Sequence, residues 1–178
     1  MTRPVQHERG SATPEGTRDE VEVRIRGLMM DPVTNMPMIV LKETAGDGVL
    51  PIWVGIFEAN AIALEIEKSA TPRPMTHDLL RNVLRAFDAV VTRVVISELK
   101  DDTFYAVIWI DRGGEVMVLD SRPSDALALA MRADCPIFVS RTVLENAQTN
   151  QRGRDVNSDE LRRWLEGLGD ADMGRYKM

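Results

Sequence analysis

RVVISELKDDTFYAVIWIDRGGEVMVLD, residues 93–120, decides the fold class. It reads as three strands in succession: RVVISEL (93–99), TFYAVIWI (103–110) and EVMVLD (115–120). Lys100-Asp101-Asp102 is a short hairpin connection, and Asp111-Arg112-Gly113-Gly114 is a second turn. Strands joined by such short turns pair antiparallel, since a parallel crossover needs roughly a dozen residues or more. Residues 94–96 and 105–109 are apolar on both faces, more than one layer of helices obviously needs. That surplus predicts a homo-oligomer, most simply a dimer.

Upstream lie two helices. GIFEANAIALEIEK (55–68) puts Ala59, Ile62, Ala63 and Ile66 on one face, with Glu58 and Glu65 seven residues apart. Pro72 and Pro74 break the chain before a second helix opens at Thr76. There Leu79, Leu80, Val83, Leu84 and Phe87 form an apolar stripe, with Asp78, Arg81, Asn82, Arg85 and Asp88 facing the other way. Earlier still, VEVRIRGL (21–28) alternates apolar and charged residues as a half-buried strand does. MPMIVLK (36–42) and VLPIWVG (49–55) are two more strands around the Gly46-Asp47-Gly48 turn. Pro51 leaves one side of the latter without a ladder partner.

Downstream, a third helix runs from Pro123 to about Ala133, with proline in its first turn. Cys135-Pro136 stops it, IFV (137–139) is a short strand, and the pattern leaves room for a short helix near 142–147. The order βββααβββαβ, with strands and helices in runs, predicts an α+β domain: a mostly antiparallel sheet with helices packed on it. Residues 1–20 read as a disordered tail and 21–148 as the folded domain. Residues 149–178 read as a polar linker followed by a short amphipathic helix, DELRRWLEGLG (159–169).

Charge restricts the function classes. The 178 residues carry a net −6, and five of those six excess negative charges fall within 21–148. A general nucleic-acid binder is usually basic, so any role on nucleic acid must come from a local site. No apolar run reaches the roughly 20 residues of a membrane helix, and the first 20 residues hold no signal-like apolar stretch. One cysteine, Cys135, fits a reducing compartment; cytoplasmic location and no membrane contact are the expectation.

Three blocks carry a family resemblance: PIWVGIFEANAIA (51–63), RPMTHDL (73–79) and LDSRPSDALALA (119–130). In this order and spacing they resemble the signature blocks of the bifunctional nuclease domain family. The similarity runs from about residue 21 to 146, and the closing DMGRYKM (172–178) is similar to the C-terminus of many bacterial members. The resemblance implies a compact α+β domain with DNase and RNase activity, DNA and RNA then being the substrates.

Phosphodiester hydrolysis needs an activated water and stabilisation of a charged transition state, by metals on carboxylates or by a His/Arg/Lys set. His77, one of two histidines, stands between Thr76 and Asp78, where a plain helix cap and first turn would place the same residues. Asp120-Ser121-Arg122-Pro123-Ser124-Asp125 marks a strand-to-helix junction that attracts anions. An ordinary helix start with an Arg122–Asp125 pair is the plain reading, but two carboxylates and an arginine in six residues exceed what a cap requires. The enzyme reading makes His77, Asp78 and Glu58 catalytic, and gives substrate contacts to Arg73, Arg122, Ser124 and Thr76. It assigns Asp120 and Asp125 to a divalent cation, Mg or Mn, with no organic cofactor. Its alternative is a non-catalytic regulatory module using the same pocket for a small anion or a protein. No P-loop, CxxC, HExxH or GxSxG occurs, so the usual signals of nucleotide, zinc and serine hydrolases are missing.

Overall fold

The computed structural model describes residues 6–8, 18–31 and 34–153. Its strands are β1 (Gln6–Glu8), β2 (Glu20–Met30), β3 (Pro37–Glu43), β4 (Val49–Trp53), β5 (Val90–Lys100), β6 (Thr103–Arg112), β7 (Glu115–Ser121) and β8 (Ile137–Ser140). Its helices are α1 (Ile56–Ile66), α2 (Thr76–Ala86), α3 (Pro123–Ala133) and α4 (Arg141–Gly153). The described strands form one sheet in the order β1-β7-β6-β5-β8-β2-β3-β4. Only the β5–β8 pair is parallel, because α3 carries the chain across between β7 and β8. The α+β class and the mostly antiparallel pairing are therefore as the patterns predict.

Turn chemistry set the hairpins. Asp101 and Asp102 both take positive φ, and Lys100 pairs directly with Thr103, which is a two-residue loop whose twist matches the strands. Gly113 and Gly114 supply positive φ between β6 and β7. Pro51 is tolerated because β4 is an end strand, bonded to β3 alone among the described strands.

Three features depart from the sequence pattern. Gln6–Glu8 pairs antiparallel with β7, so a strand lies within the stretch read as a tail. Helix α4 runs on to Gly153, burying Val143, Leu144 and Ala147, where a linker was expected from residue 149. The helix expected over 159–169 lies outside the described residues. The third departure is α2. Helices α1, α3 and α4 bury apolar side chains against the sheet, whereas α2 packs on α3 and contains no buried residue. Its apolar stripe does not lie on the sheet; only Leu84 packs against the core.

The two-sided apolar strands are satisfied within the chain. Val94, Ile96, Ala106, Ile108 and Ile110 join the core under the helices. On the opposite face of the sheet the Arg93 guanidinium lies 4.1 Å from the Trp109 ring centre and 5.8 Å from that of Phe138. Glu20 accepts from Arg93 Nη1 at 2.7 Å, so this buried cation is paired.

Candidate functional site

Two helix starts, those of α2 and α3, line one cleft, and the start of α1 reaches it through an ion pair. Each begins after an extended residue: Gly55 before α1, Met75 before α2 and Arg122 before α3. Helix starts leave free amide donors and favour acidic side chains in the first turn, and Glu58, Asp78 and Asp125 occupy those positions. The N-cap of α2 is Met75 rather than Thr76. The Asp78 carboxylate caps it by accepting from the Met75 amide at 3.0 Å, which leaves Thr76 and His77 facing the cleft.

The cleft measures about 610 Å³. Phe104, Ile108, Leu119 and Leu80 give it apolar walls, and Thr76, His77, Tyr105, Asp120, Ser121, Arg122 and Asp125 give it polar ones. Across it runs a chain of charged contacts. His77 Nε2 meets Asp125 Oδ1 at 3.1 Å. Arg122 Nε donates to Asp125 Oδ2 at 2.8 Å, and Arg122 Nη1 donates to Glu58 Oε1 at 2.8 Å. His77 is nearly enclosed, its side chain 13% exposed, while Arg122 is 64% exposed and open to a ligand. Asp120 is exposed and has no hydrogen-bond or ion-pair partner among the described residues.

Neighbouring charges hold these groups ionised. The Glu58 carboxyl is lowered by its own backbone amide and by Arg122. Burial works to raise Asp125, but hydrogen bonds from Arg122 and His77 outweigh it and leave it below its ordinary value. Hydrogen bonding to Asp125 and Glu58 raises Arg122 in turn. Asp120 and Asp125 line the cleft with Arg122, and Glu58 joins them from its edge through Arg122.

Three of the sequence candidates go elsewhere. Arg73 is on the exposed 71–74 loop and does not line the cleft, and Ser124 is buried in the first turn of α3. Asp78 turns away from the cleft: its Oδ1 accepts from Arg132 Nε at 2.7 Å. Arg132, with its side chain 3% exposed, also donates to the carbonyls of Ala61 and Ala128 at 3.0 Å and lies 3.9 Å from Glu65. This arginine ties α1, α2 and α3 together, and sequence reasoning missed it. The available signal was Glu65 seven residues after Glu58, since those two acids meet α3 arginines ten residues apart.

Acid should undo part of this. The Asp78 and Asp125 carboxyls, ordinarily at 3.8, are both depressed in the folded chain. Their contribution is then complete above that unfolded value and is lost as pH falls through the lower folded values. The urea midpoint should fall between neutral pH and about pH 3, and Asp78→Asn should flatten that fall. An equal slope in the variant would remove Asp78 from the account.

The sequence matches known proteins. The bifunctional nuclease domain matches residues 39–152, a stretch that contains all three helix starts. An uncharacterized protein of Mycobacterium tuberculosis is 37% identical over 163 residues, covering 88% of this chain and 98% of its own. Bifunctional nuclease 1 of Oryza sativa is 30% identical over 112 residues, 61% of this chain but 34% of the rice protein. The bifunctional nuclease of Oryza minuta is similar to the same extent. No helix among the described residues is long and apolar enough to cross a membrane. With its domain matched over most of its length and a relative aligned nearly end to end, the chain belongs to the bifunctional nuclease domain family.

Proposed function

We propose that this chain is a nuclease that hydrolyses phosphodiester bonds of DNA and RNA, without sequence preference, in the cleft between the helix starts. One observation carries the reading: His77 is held by Asp125, which is held by Arg122, inside a cleft that also presents Asp120. Family membership and the printed name of the rice relatives support the same chemistry.

Asp125 is ionised and can only accept, so the neutral imidazole keeps its proton on Nε2. Nδ1 then carries the lone pair that takes a proton from the water attacking phosphorus, and the imidazolium returns that proton to the leaving sugar oxygen as its P–O bond breaks. Asp125 fixes the ring and stabilises the imidazolium, as the orienting acid of a catalytic triad does. Arg122, exposed and anchored at both ends, contacts the phosphate; Thr76 adds a polar contact. Glu58 acts through Arg122 and not on the substrate.

The donor set fits a divalent cation. Three carboxylates and one guanidinium leave a net negative wall that repels phosphate until a divalent cation neutralises the excess. Mg²⁺ takes one or two carboxylates and keeps several waters, and Asp120 with the remaining lone pairs of Asp125 would hold it. Bound there, the cation would supply neutralisation of the developing phosphorane charge.

The test uses highly purified protein with single-stranded DNA and RNA. Both should be cut, EDTA should stop the reaction and Mn²⁺ or Mg²⁺ should restore it. Asp120→Asn combined with Asp125→Asn should abolish cleavage in a variant whose melting temperature is followed alongside. A folded double variant cutting at the wild-type rate would sink the proposal.

A further inference from the structure

The cleft has more apolar surface than phosphodiester chemistry uses. Its charged rim, Arg122, Asp125 and Asp120, meets the needs of a phosphate. Its floor is of another kind. Ile108 and Leu119 stand opposite each other on β6 and β7, and Phe104 follows on the same face of β6 by strand alternation. Leu80, one turn after Thr76 on α2, forms the facing wall and is 43% exposed. Phe104 and Leu119 pack against the core yet stay partly exposed, so apolar surface lies open inside a concave site.

We propose that this floor is a nucleobase subsite, with Phe104 as its stacking surface, so that the chain acts on unpaired nucleotides. The proposal rests on the nuclease reading and names its substrate class. Continuity selects the occupant. Whatever fills the floor lies within one nucleotide of a phosphate held by Arg122, and a base is the flat, largely apolar part of a nucleotide. Size agrees: about 610 Å³ is within the ordinary range for a small ligand, enough for a nucleotide but not for a stacked duplex. In a duplex each base is covered on both faces, so it reaches a side pocket only by leaving the stack. Charge agrees as well. Arg122 is the single lysine or arginine among the described residues that line the cleft, and the chain carries a net −6. One such contact supplies little of the affinity that phosphate neutralisation usually gives. Stacking on an aromatic ring supplies affinity without positive charge. Every base has a stacking face, and stacking does not read the sugar 2′-hydroxyl, so one subsite serves any sequence in DNA or RNA.

Mapped cleavage and binding of defined strands test it on the full chain. In a DNA hairpin, wild type should cut the loop and spare the stem. An abasic residue removes one base and keeps every phosphate. In a single strand carrying one, cutting at the flanking bonds should fall by about 5–150-fold, the usual contribution of one stacked base. Fluorescence anisotropy with Ca²⁺ in place of Mg²⁺ reads binding separately, and wild type should prefer a labelled single strand to its duplex. Phe104→Leu keeps apolar volume against the core, and should weaken single-strand binding by the same factor without changing duplex binding. Leu80→Asn, at an exposed position, should act in the same direction and stands in for a Phe104 variant that fails to fold. Stem and loop cut alike, normal cutting beside the abasic residue, or folded variants that bind like wild type overturn the subsite and leave the nuclease reading standing. A chain that cuts no strand overturns the nuclease reading instead. Single-strand preference that both substitutions weaken then still supports the subsite, and equal binding of the two strands, or none of either, removes it.

Discussion

Replacing His77 with alanine should lower the rate of phosphodiester cleavage by about 10²–10⁴-fold, the usual contribution of a positioned acid–base group. The side chain is nearly enclosed and bonded to Asp125, so its loss removes the base and its tether together. Stability should change little, since one hydrogen bond to a partly exposed carboxylate contributes only about 1 kcal/mol. Asp125→Asn should give a loss of similar size for a different reason: the amide no longer fixes the imidazole proton on Nε2. Arg122→Ala should instead raise KM, because its guanidinium faces the open side of the cleft. Single-turnover cleavage of a labelled oligonucleotide separates the three. Wild-type kcat in His77→Ala would place the chemistry elsewhere.

The largest effect on stability should come from Arg132→Met. Removing one partner of a buried ion pair costs about 3–5 kcal/mol, mostly because the other charge stays buried and unpaired. Here the stranded group is Asp78 Oδ1, the arginine's close carboxylate partner. For a chain of this size the melting temperature should fall by about 6–20 °C. Adding Asp78→Asn to Arg132→Met should recover part of that loss by removing the uncompensated charge. A single variant that melts within about 2 °C of wild type would show that the buried cluster contributes little net stability.

The same buried arginine explains where sequence reasoning about α2 failed. The Leu79–Phe87 stripe announces an amphipathic helix, and the helix is there from Thr76. Periodicity cannot say which side meets the domain. That was settled by Arg132, 54 residues away from Asp78, which draws the polar side inward. The Asp78 carboxylate, read as catalytic from the sequence, is bonded instead to Arg132 and the Met75 amide.

Local chemistry fixed the rest of the framework. Alternation and turn residues specified the strands from Val21 to Val139, and Pro51 marked an end strand. Proline and acids in first turns marked the helix starts, and the Arg122–Asp125 pair at i, i+3 was readable within six residues. Each of these depends on neighbours within one turn or one hairpin, which a single sequence displays. Only the tertiary structure could bring Asp125 to His77, 48 residues away, and Glu58 to Arg122, 64 residues away. It alone left Arg73 and Ser124 outside the cleft and turned the α2 stripe outward, because those outcomes follow from how α1 and α2 pack on α3.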